Sequence, residues 1–434
     1  LVLLSLAQVA PAQEDPARVD ALERRLEEQQ RDMDALREEL RALREGAPPA
    51  AAGPPAAADP GAQPFDGVKL EAGLGEGVTV TAKDDSLSLN IRARIQLRFT
   101  QVEREEDGPG TSSSTQFEVR RARLLLRGHA MTRDLTYYIQ LGFSNQDTEP
   151  DLRLPLRDAY LSYTRVRDLN VRIGQMKVPF NPQRVNSSSA LQLVDRSIVN
   201  GELNLDRDVG VQVYSTDLFG LGDLLGYNLG VFGGDGRNRL DGASGLLFVA
   251  RVQLTPFGSF DDLVEGDVFR SDEPGLAIGA AVAHDADTVR ERSTHGRVFA
   301  TGERVDTTHG VADVHFKYGG FSLRSEAILR WADENTISGV VNGVAVTEAT
   351  RSAWGYFVQS GLMVTEHVEV VGRWGELRPL RRLSAVTLQR ETGGGVNLYL
   401  HGHDLKFQTD YFYLWGDRLA EGDHQVRAQV QLYF

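Results

Sequence analysis

The sequence predicts an all-β protein, a sixteen-stranded antiparallel transmembrane β-barrel preceded by an N-terminal α-helical coiled coil. Three observations predict it. Beyond residue 66, apolar and polar residues alternate in runs far longer than an ordinary soluble strand. Long polar connections there interleave with very short ones. Before that point the apolar residues recur with a period of seven.

Composition narrows the field before any element is placed. The chain has 434 residues, 47 Lys+Arg against 61 Asp+Glu, no Cys, and a mean hydropathy of −0.30. Without cysteine there is no disulfide, thiol nucleophile or thiolate metal site. A net charge of −14 argues against nucleic acid as a partner. No run of about 18 apolar residues exists, so no helix crosses a bilayer.

Residues 1–9 (LVLLSLAQV) are apolar but too short to span, and they lead into Ala10-Pro11-Ala12, a signal-peptidase pattern. Residues 1–12 are therefore expected to be the remnant of a secretory signal peptide. Val19, Leu26, Met33 and Leu40 then recur every seven residues, as do Leu22, Gln29, Leu36 and Leu43. These are a and d positions of four heptads, and Arg, Glu and Asp fill most of the others. A coiled coil is expected over 13–45. The Pro/Ala-rich stretch 46–65 forbids helix and favours extended backbone, which makes it a linker.

The barrel is expected over 66–434. Its strand candidates are 86–105, 115–131, 134–145, 156–165, 168–177, 207–216, 223–233, 246–256, 273–284, 305–318, 320–333, 351–364, 367–378, 389–400, 403–416 and 421–434. In the first of these, Leu87, Leu89, Ile91, Ala93, Ile95, Leu97 and Phe99 share one face, and Ser88, Asn90, Arg92, Arg94, Gln96 and Arg98 the other. Short links such as Gly319-Gly320 and Gly402 alternate with long loops at 106–114, 178–206, 285–304 and 334–350. An even number of long strands, with short turns at one rim and long loops at the other, describes an outer-membrane barrel. One connection breaks the rhythm: residues 257–272 should be a short turn and are not.

With the apolar face toward lipid, the chemistry lies on the polar face. In the second strand the apolar parity flips between Val119 and Ala122. A one-residue bulge at Arg120–Arg121 explains the flip and turns both guanidinium groups inward. Arg120, Arg121, Arg123 and Arg127 then face the lumen beside Arg92, Arg94 and Arg98. Such a basic stripe presents fixed donors that replace an oxyanion's hydration shell. The competing reading is that these arginines pair with lumen acids such as Glu118 and Asp158 and brace the wall. Residues 178–206, the longest strand-free stretch, mix apolar anchors with Ser187–Ser189 and the charged Arg184, Asp195 and Arg196. That content suits a loop folded into the pore.

Other signals are weaker. His401-x-His403 beside Asp404 has metal-like spacing but sits in a tight turn. Gly233-Gly234-Asp235-Gly236 lacks the acids of a calcium loop. His129 and His309 have no discernible nucleophile beside them. The chain is read as neither an enzyme nor a cofactor or metal protein.

Several stretches resemble the phosphate-selective porin O/P family: FEVRRARLLLRG (117–128), YYIQLGF (137–143), LRDAYLSY (156–163), VRIGQMKVPFNPQRV (171–185), VDRSIVN (194–200), DRDVGVQVY (206–214), YNLGVFGGDGRN (227–238) and GGVNLYLHGHDLKFQTDYF (394–412). The resemblance implies a sixteen-stranded homotrimeric porin in the outer membrane of a Gram-negative bacterium, bounded by lipid and lipopolysaccharide. It implies a third loop folded inward and a ladder of basic side chains for small anionic solutes such as phosphate. Arg120 and Arg121 match the family's paired arginines, and Lys177 and Arg184 flank its loop. Strict alternation from Val171 and Ile173 would aim Lys177 at lipid, so its place at the strand's end matters. A second role is compatible with the sequence: the periplasmic coiled coil could tether peptidoglycan or a periplasmic protein, with the barrel as a structural anchor.

Overall fold

The computed structural model describes residues 67–105, 110–148, 154–239, 245–257 and 264–434. The signal-peptide remnant, coiled coil and linker expected within 1–65 lie outside the described residues. A hairpin of β1 (Val68–Gly73) and β2 (Gly77–Ala82) precedes the wall. The first nine wall strands are β3 (Ser88–Glu105), β4 (Thr111–Ala130), β5 (Thr132–Gly142), β6 (Leu156–Tyr163), β7 (Asn170–Lys177), β8 (Arg207–Ser215), β9 (Leu225–Phe232), β10 (Leu247–Leu254) and β11 (Gly275–Thr288). A small hairpin, β12 (Arg290–Arg292) and β13 (His295–Val298), stands in the next loop. The wall resumes with β14 (Val305–Tyr318) and β15 (Phe321–Ala332), and a second loop hairpin follows, β16 (Thr336–Val341) with β17 (Val344–Ala349). It finishes with β18 (Ala353–Met363), β19 (Val368–Pro379), β20 (Gln389–His401), β21 (Leu405–Trp415) and β22 (Asp423–Tyr433).

These sixteen wall strands pair antiparallel with their neighbours, and β22 closes the ring on β3, from His424 opposite Glu103 to Tyr433 opposite Arg94. Closure follows from the solvent. In hydrocarbon every backbone N–H and C=O needs a partner, and only a sheet without edges supplies one for all of them. The initial hairpin, which the sequence reading did not separate, completes this seal. The pairing of β22 runs out where Phe434 meets Ala93, and β2 then pairs Val78–Thr81 with Ile91–Ser88 of β3.

The period of two has its expected meaning on most of the wall. Leu97, Leu229 and Val430 are about half exposed on the outer face, while Gln96, Arg94 and Gln431 are buried on the inner one. Phe321 and Tyr318 flank a two-residue turn in which Gly319 and Gly320 both have positive φ (60° and 91°), a conformation that favours glycine. Because Val430 lies mid-strand on the lipid face, Val430→Arg is expected to cost about 2–4 kcal/mol. Urea unfolding of the folded barrel in lipid vesicles measures this.

The apolar-out rule fails over one sector, and that failure positions everything else. Ala281, Val311, Ile328, Ala353, Phe357 and Leu377 are apolar, buried and packed together inside the barrel. They receive Val178, Phe180, Val199, Leu203 and Leu205 of the 178–206 loop, which runs inside the lumen. Two short helices shape this loop, α1 (Pro182–Val185) and α2 (Ile198–Leu203). Polar contacts add to the apolar seat: Lys406 Nζ donates to Leu191 O at 2.7 Å, Asp410 accepts from Val194 N at 3.0 Å, and Glu391 from Ile198 N at 3.2 Å. The loop therefore fills the lumen against β14–β22 and leaves open the side lined by β4–β10.

Residues 264–272 of the irregular connection fold inward. Glu265 is buried; its N–H donates to Ala190 O at 3.2 Å, and its carboxylate accepts from Gln192 N at 3.0 Å and Gln359 Nε2 at 3.0 Å. Asp267 ties the segment to the adjacent turn through Gly320 N at 2.7 Å. A segment on the short-turn rim, too long for the tight turn that the rhythm of the barrel calls for, thus rises into the barrel and supports the tip of the inner loop. Two further boundaries differ from expectation. β4 begins at Thr111, shortening the 106–114 loop, and the loops at 285–304 and 334–350 hold hairpins of their own.

Candidate functional site

Three neighbouring cavities with shared lining residues lie on the open side of the lumen. The first, about 100 Å³, is lined by Arg120, Arg121, Arg123, Arg157, Lys177, Arg184, Arg196 and Arg207 with Gln146 and Ser188. Gln146 lies in the connection between β5 and β6, on the long-loop side, so this cup faces the exterior in a barrel of this kind. The second cavity, about 500 Å³, shares Arg123, Lys177, Ser188 and Arg207 with the cup, and these four form a neck. A third, about 400 Å³, shares Tyr138, Tyr160, Arg172 and Tyr214 with the second and reaches Ser88, Arg127 and His129 at the short-turn rim.

Local backbone features deliver these side chains. The β3–β4 register pairs Gln96 with Arg121 and Leu97 with Val119, so Arg120 is the extra residue of a bulge. Both guanidinium groups consequently point inward: Arg120 Nη2 donates to Asp195 at 3.0 Å and Arg121 Nη1 to Gln96 Oε1 at 2.7 Å. On β7 the alternation lapses at Gly174, whose φ is +130°. An added Cβ there would run into the Ala159 carbonyl. Past that point Lys177 turns to the lumen, where Nζ donates to Val185 O at 2.7 Å and Asn186 O at 3.0 Å. Those bonds use two of the three ammonium donors.

The cup's charge is only partly balanced. Asp195 pairs with Arg120 (3.0 Å) and more distantly Arg121 (4.0 Å), Asp147 with Arg123 (2.6 Å) and Arg157 (3.3 Å), Asp206 with Arg184 (2.5 Å) and Arg207 (2.9 Å), and Asp158 with Arg207 (3.1 Å). Among the described residues, four carboxylates therefore face eight cations. Lys177 and Arg196 rest on backbone carbonyls instead, Arg196 on Gln183 O (2.6 Å) and Asn186 O (2.9 Å). Nε of Arg120 and of Arg157 are buried donors without a partner among the described residues. Burial alone would raise the Asp195 carboxyl, but Arg98, Arg120 and Arg121 outweigh it and hold it well below the ordinary range.

The expected residues divide into three groups. Arg120, Arg121, Arg123, Lys177 and Arg184 converge on the cup. Arg94 and Arg98 face inward but are committed to the inner loop, Arg94 Nη1 to Ser187 Oγ at 3.1 Å and Arg98 to Asp195 (2.9 Å) and Val194 O (2.7 Å). Arg98 is thus paired with an acid of the inner loop. Arg92 and Arg127 lie at the short-turn rim: Arg92 binds Gly75 O and stands 3.5 Å from Asp404, and Arg127 bonds Asn90 at 3.1 Å. The seven arginines of the expected basic stripe thus divide among the cup, a pair bonded to the inner loop and the rim. Arg157, Arg172, Arg207 and the three tyrosines were not singled out from sequence. They come from β5–β8, and no local pattern announces their convergence.

The far end of the inner loop is tied by one carboxylate. Glu202 on α2 accepts from Arg351 at 2.8 and 2.9 Å and from Arg330. Burial would raise its pKa, yet Arg351 and Arg330 bring it down to about 2 from 4.5. A depressed carboxylate stabilises the fold above its unfolded pKa, and that contribution is lost as pH falls through the folded value. Glu202→Gln is therefore expected to cost roughly 3 kcal/mol at neutral pH. The difference from the unaltered protein should shrink below pH 4.5 and vanish near pH 2 in thermal unfolding curves.

The profile of a family described as phosphate-selective porin O and P matches residues 89–434. An uncharacterized protein of Aquifex aeolicus (strain VF5) is 20% identical over 391 residues, 82% of this chain and 89% of its own. Among solved structures, an anion-selective porin from Comamonas acidovorans matches with a TM-score of 0.51 at 13% identity, over 80% of this chain and 100% of its own. OmpT, an outer membrane protein of Vibrio cholerae solved in a trimer form, matches with a TM-score of 0.50 at 10% identity, over 81% and 100%. At such identities the structural likeness carries the fold, a closed porin-type barrel.

Proposed function

Because the chain belongs to the phosphate-selective porin O and P family, whose members are outer-membrane channels, we propose that its open lumen is a passive, anion-selective pathway for phosphate and similar small oxyanions. The observation that carries this is the cup: eight basic side chains meet half as many carboxylates where the inner loop narrows the lumen. In a narrow, weakly screened space such an excess concentrates anions and repels cations. The guanidinium groups are fixed by their partners, so they substitute for hydration without a large reordering cost. Phosphate added to a chloride solution is expected to reduce single-channel chloride current by occupying the cup. The double variant Arg120→Ala/Arg121→Ala should weaken that block, and an unchanged block would remove the cup from the pathway. Assembly as a homotrimer fits the family and the trimeric form of the Vibrio relative.

The heptads at residues 19–43 favour a second role beside the first, a periplasmic tether to peptidoglycan or a protein. Deleting residues 13–64 separates them. The channel should still conduct, while attachment of the membrane to its periplasmic partner should be lost.

A further inference from the structure

We infer that the 500 Å³ chamber beneath the neck is a binding site for small aromatic carboxylates, an inference that rests on the anion-pathway reading. Its size falls within the range of small-molecule sites. The neck above it needs only charge and hydrogen bonds for a bare oxyanion. The chamber's lower wall is built differently. Tyr138 and Tyr160 stack with ring centroids 5.2 Å apart and planes 18° from parallel. The Arg172 guanidinium lies 4.5 Å over the Tyr160 ring and 5.1 Å from that of Tyr214, and its Nε donates to Ser162 Oγ at 2.9 Å. The result is a ladder of flat π surfaces with one cation held among them, and Met176 adds an apolar lining.

A hydrated inorganic ion gains little from such a wall. A flat organic anion gains twice. Its ring extends the stack at the Tyr138 end, and its carboxylate reaches Lys177 at the neck, where one ammonium donor remains beyond the two carbonyl bonds among the described residues. Aromatic stacking of this kind is expected to separate a flat ring from a saturated one of equal charge by about tenfold in affinity.

The test uses the full-length protein in planar bilayers, with benzoate, cyclohexanecarboxylate, acetate and phosphate each added to a chloride solution. Benzoate should halve the chloride current at a concentration about tenfold below that of cyclohexanecarboxylate or acetate. Tyr138→Leu/Tyr160→Leu should collapse the benzoate-to-cyclohexanecarboxylate preference, and Tyr160→Phe should keep it. Equal block by benzoate and cyclohexanecarboxylate in the unaltered protein overturns the inference without any variant. A preference that survives the double leucine substitution overturns it too. Reversal potentials from the same channels keep the two readings apart. Chloride selectivity without benzoate preference removes only the chamber, and cation selectivity removes both.

Discussion

Lys177→Glu is expected to lower the chloride-to-potassium permeability ratio by at least tenfold, the largest selectivity change available from one residue. Lys177 lines both the cup and the chamber on the proposed pathway, and its ammonium meets no carboxylate within 4.0 Å among the described residues. A unit charge about 6 Å from a permeating ion, at an effective dielectric constant near 40, is worth roughly 1.4 kcal/mol. Reversal changes two units, with opposite sign for anion and cation, and salt screening reduces the sum. Lys177→Gln separates charge from structure, because an amide can still donate to the carbonyl of Val185 or Asn186. Its permeability ratio should fall between those of the lysine and glutamate forms. Equal ratios in all three proteins would show that solutes bypass the neck.

Asp195→Ala is expected to have the largest effect on stability and to make that stability depend on anions. This carboxylate lies 2.9 Å from Arg98, 3.0 Å from Arg120 and 4.0 Å from Arg121. Removing it leaves cations without their partner in a mostly buried place, which costs about 3–5 kcal/mol. It also removes the ion pairs that tie the inner loop to β3 and β4, while the bonds of Arg94 to Ser187 and of Arg98 to the Val194 carbonyl remain. Three guanidinium groups without their carboxylate form a site for an anion from solution, which stabilises the folded state by mass action. The melting temperature of the variant should therefore fall and then recover with added phosphate far more than that of the unaltered protein. A melting temperature unchanged by the substitution would mean that Asp195 contributes nothing to holding the loop.

The wall was legible because its physics is local. A strand between lipid and a polar lumen must alternate, and each of the sixteen expected segments holds a wall strand. The bulge at Arg120 was legible for the same reason, since an extra residue shifts the parity of all that follows. Length and a mixture of apolar anchors with polar and charged residues drew attention to 178–206. What stayed hidden depends on residues far apart in sequence. Val311, Ile328 and Phe357 alternate like any wall residue, and nothing local reveals that their apolar side faces inward to seat Phe180 and Val199. The 257–272 segment reads only as an oversized turn, because Glu265 finds Ala190, Gln192 and Gln359 across the barrel. The cup was half visible. Arg120, Arg121 and Arg123 sit in one motif, whereas Arg157, Arg196 and Arg207 arrive from two other strands and the inner loop. The pairing of Asp195 with Arg98, Arg120 and Arg121 was not legible, because sequence alone gave Asp195 no partner.

The most direct test of the anion pathway is the reversal potential of the unaltered protein across a KCl gradient in a planar bilayer. The account predicts a shift toward the chloride equilibrium potential. A shift toward the potassium potential, or none, would contradict it, and would mean that the cup's cations are fully spent on the acids and carbonyls that hold the inner loop.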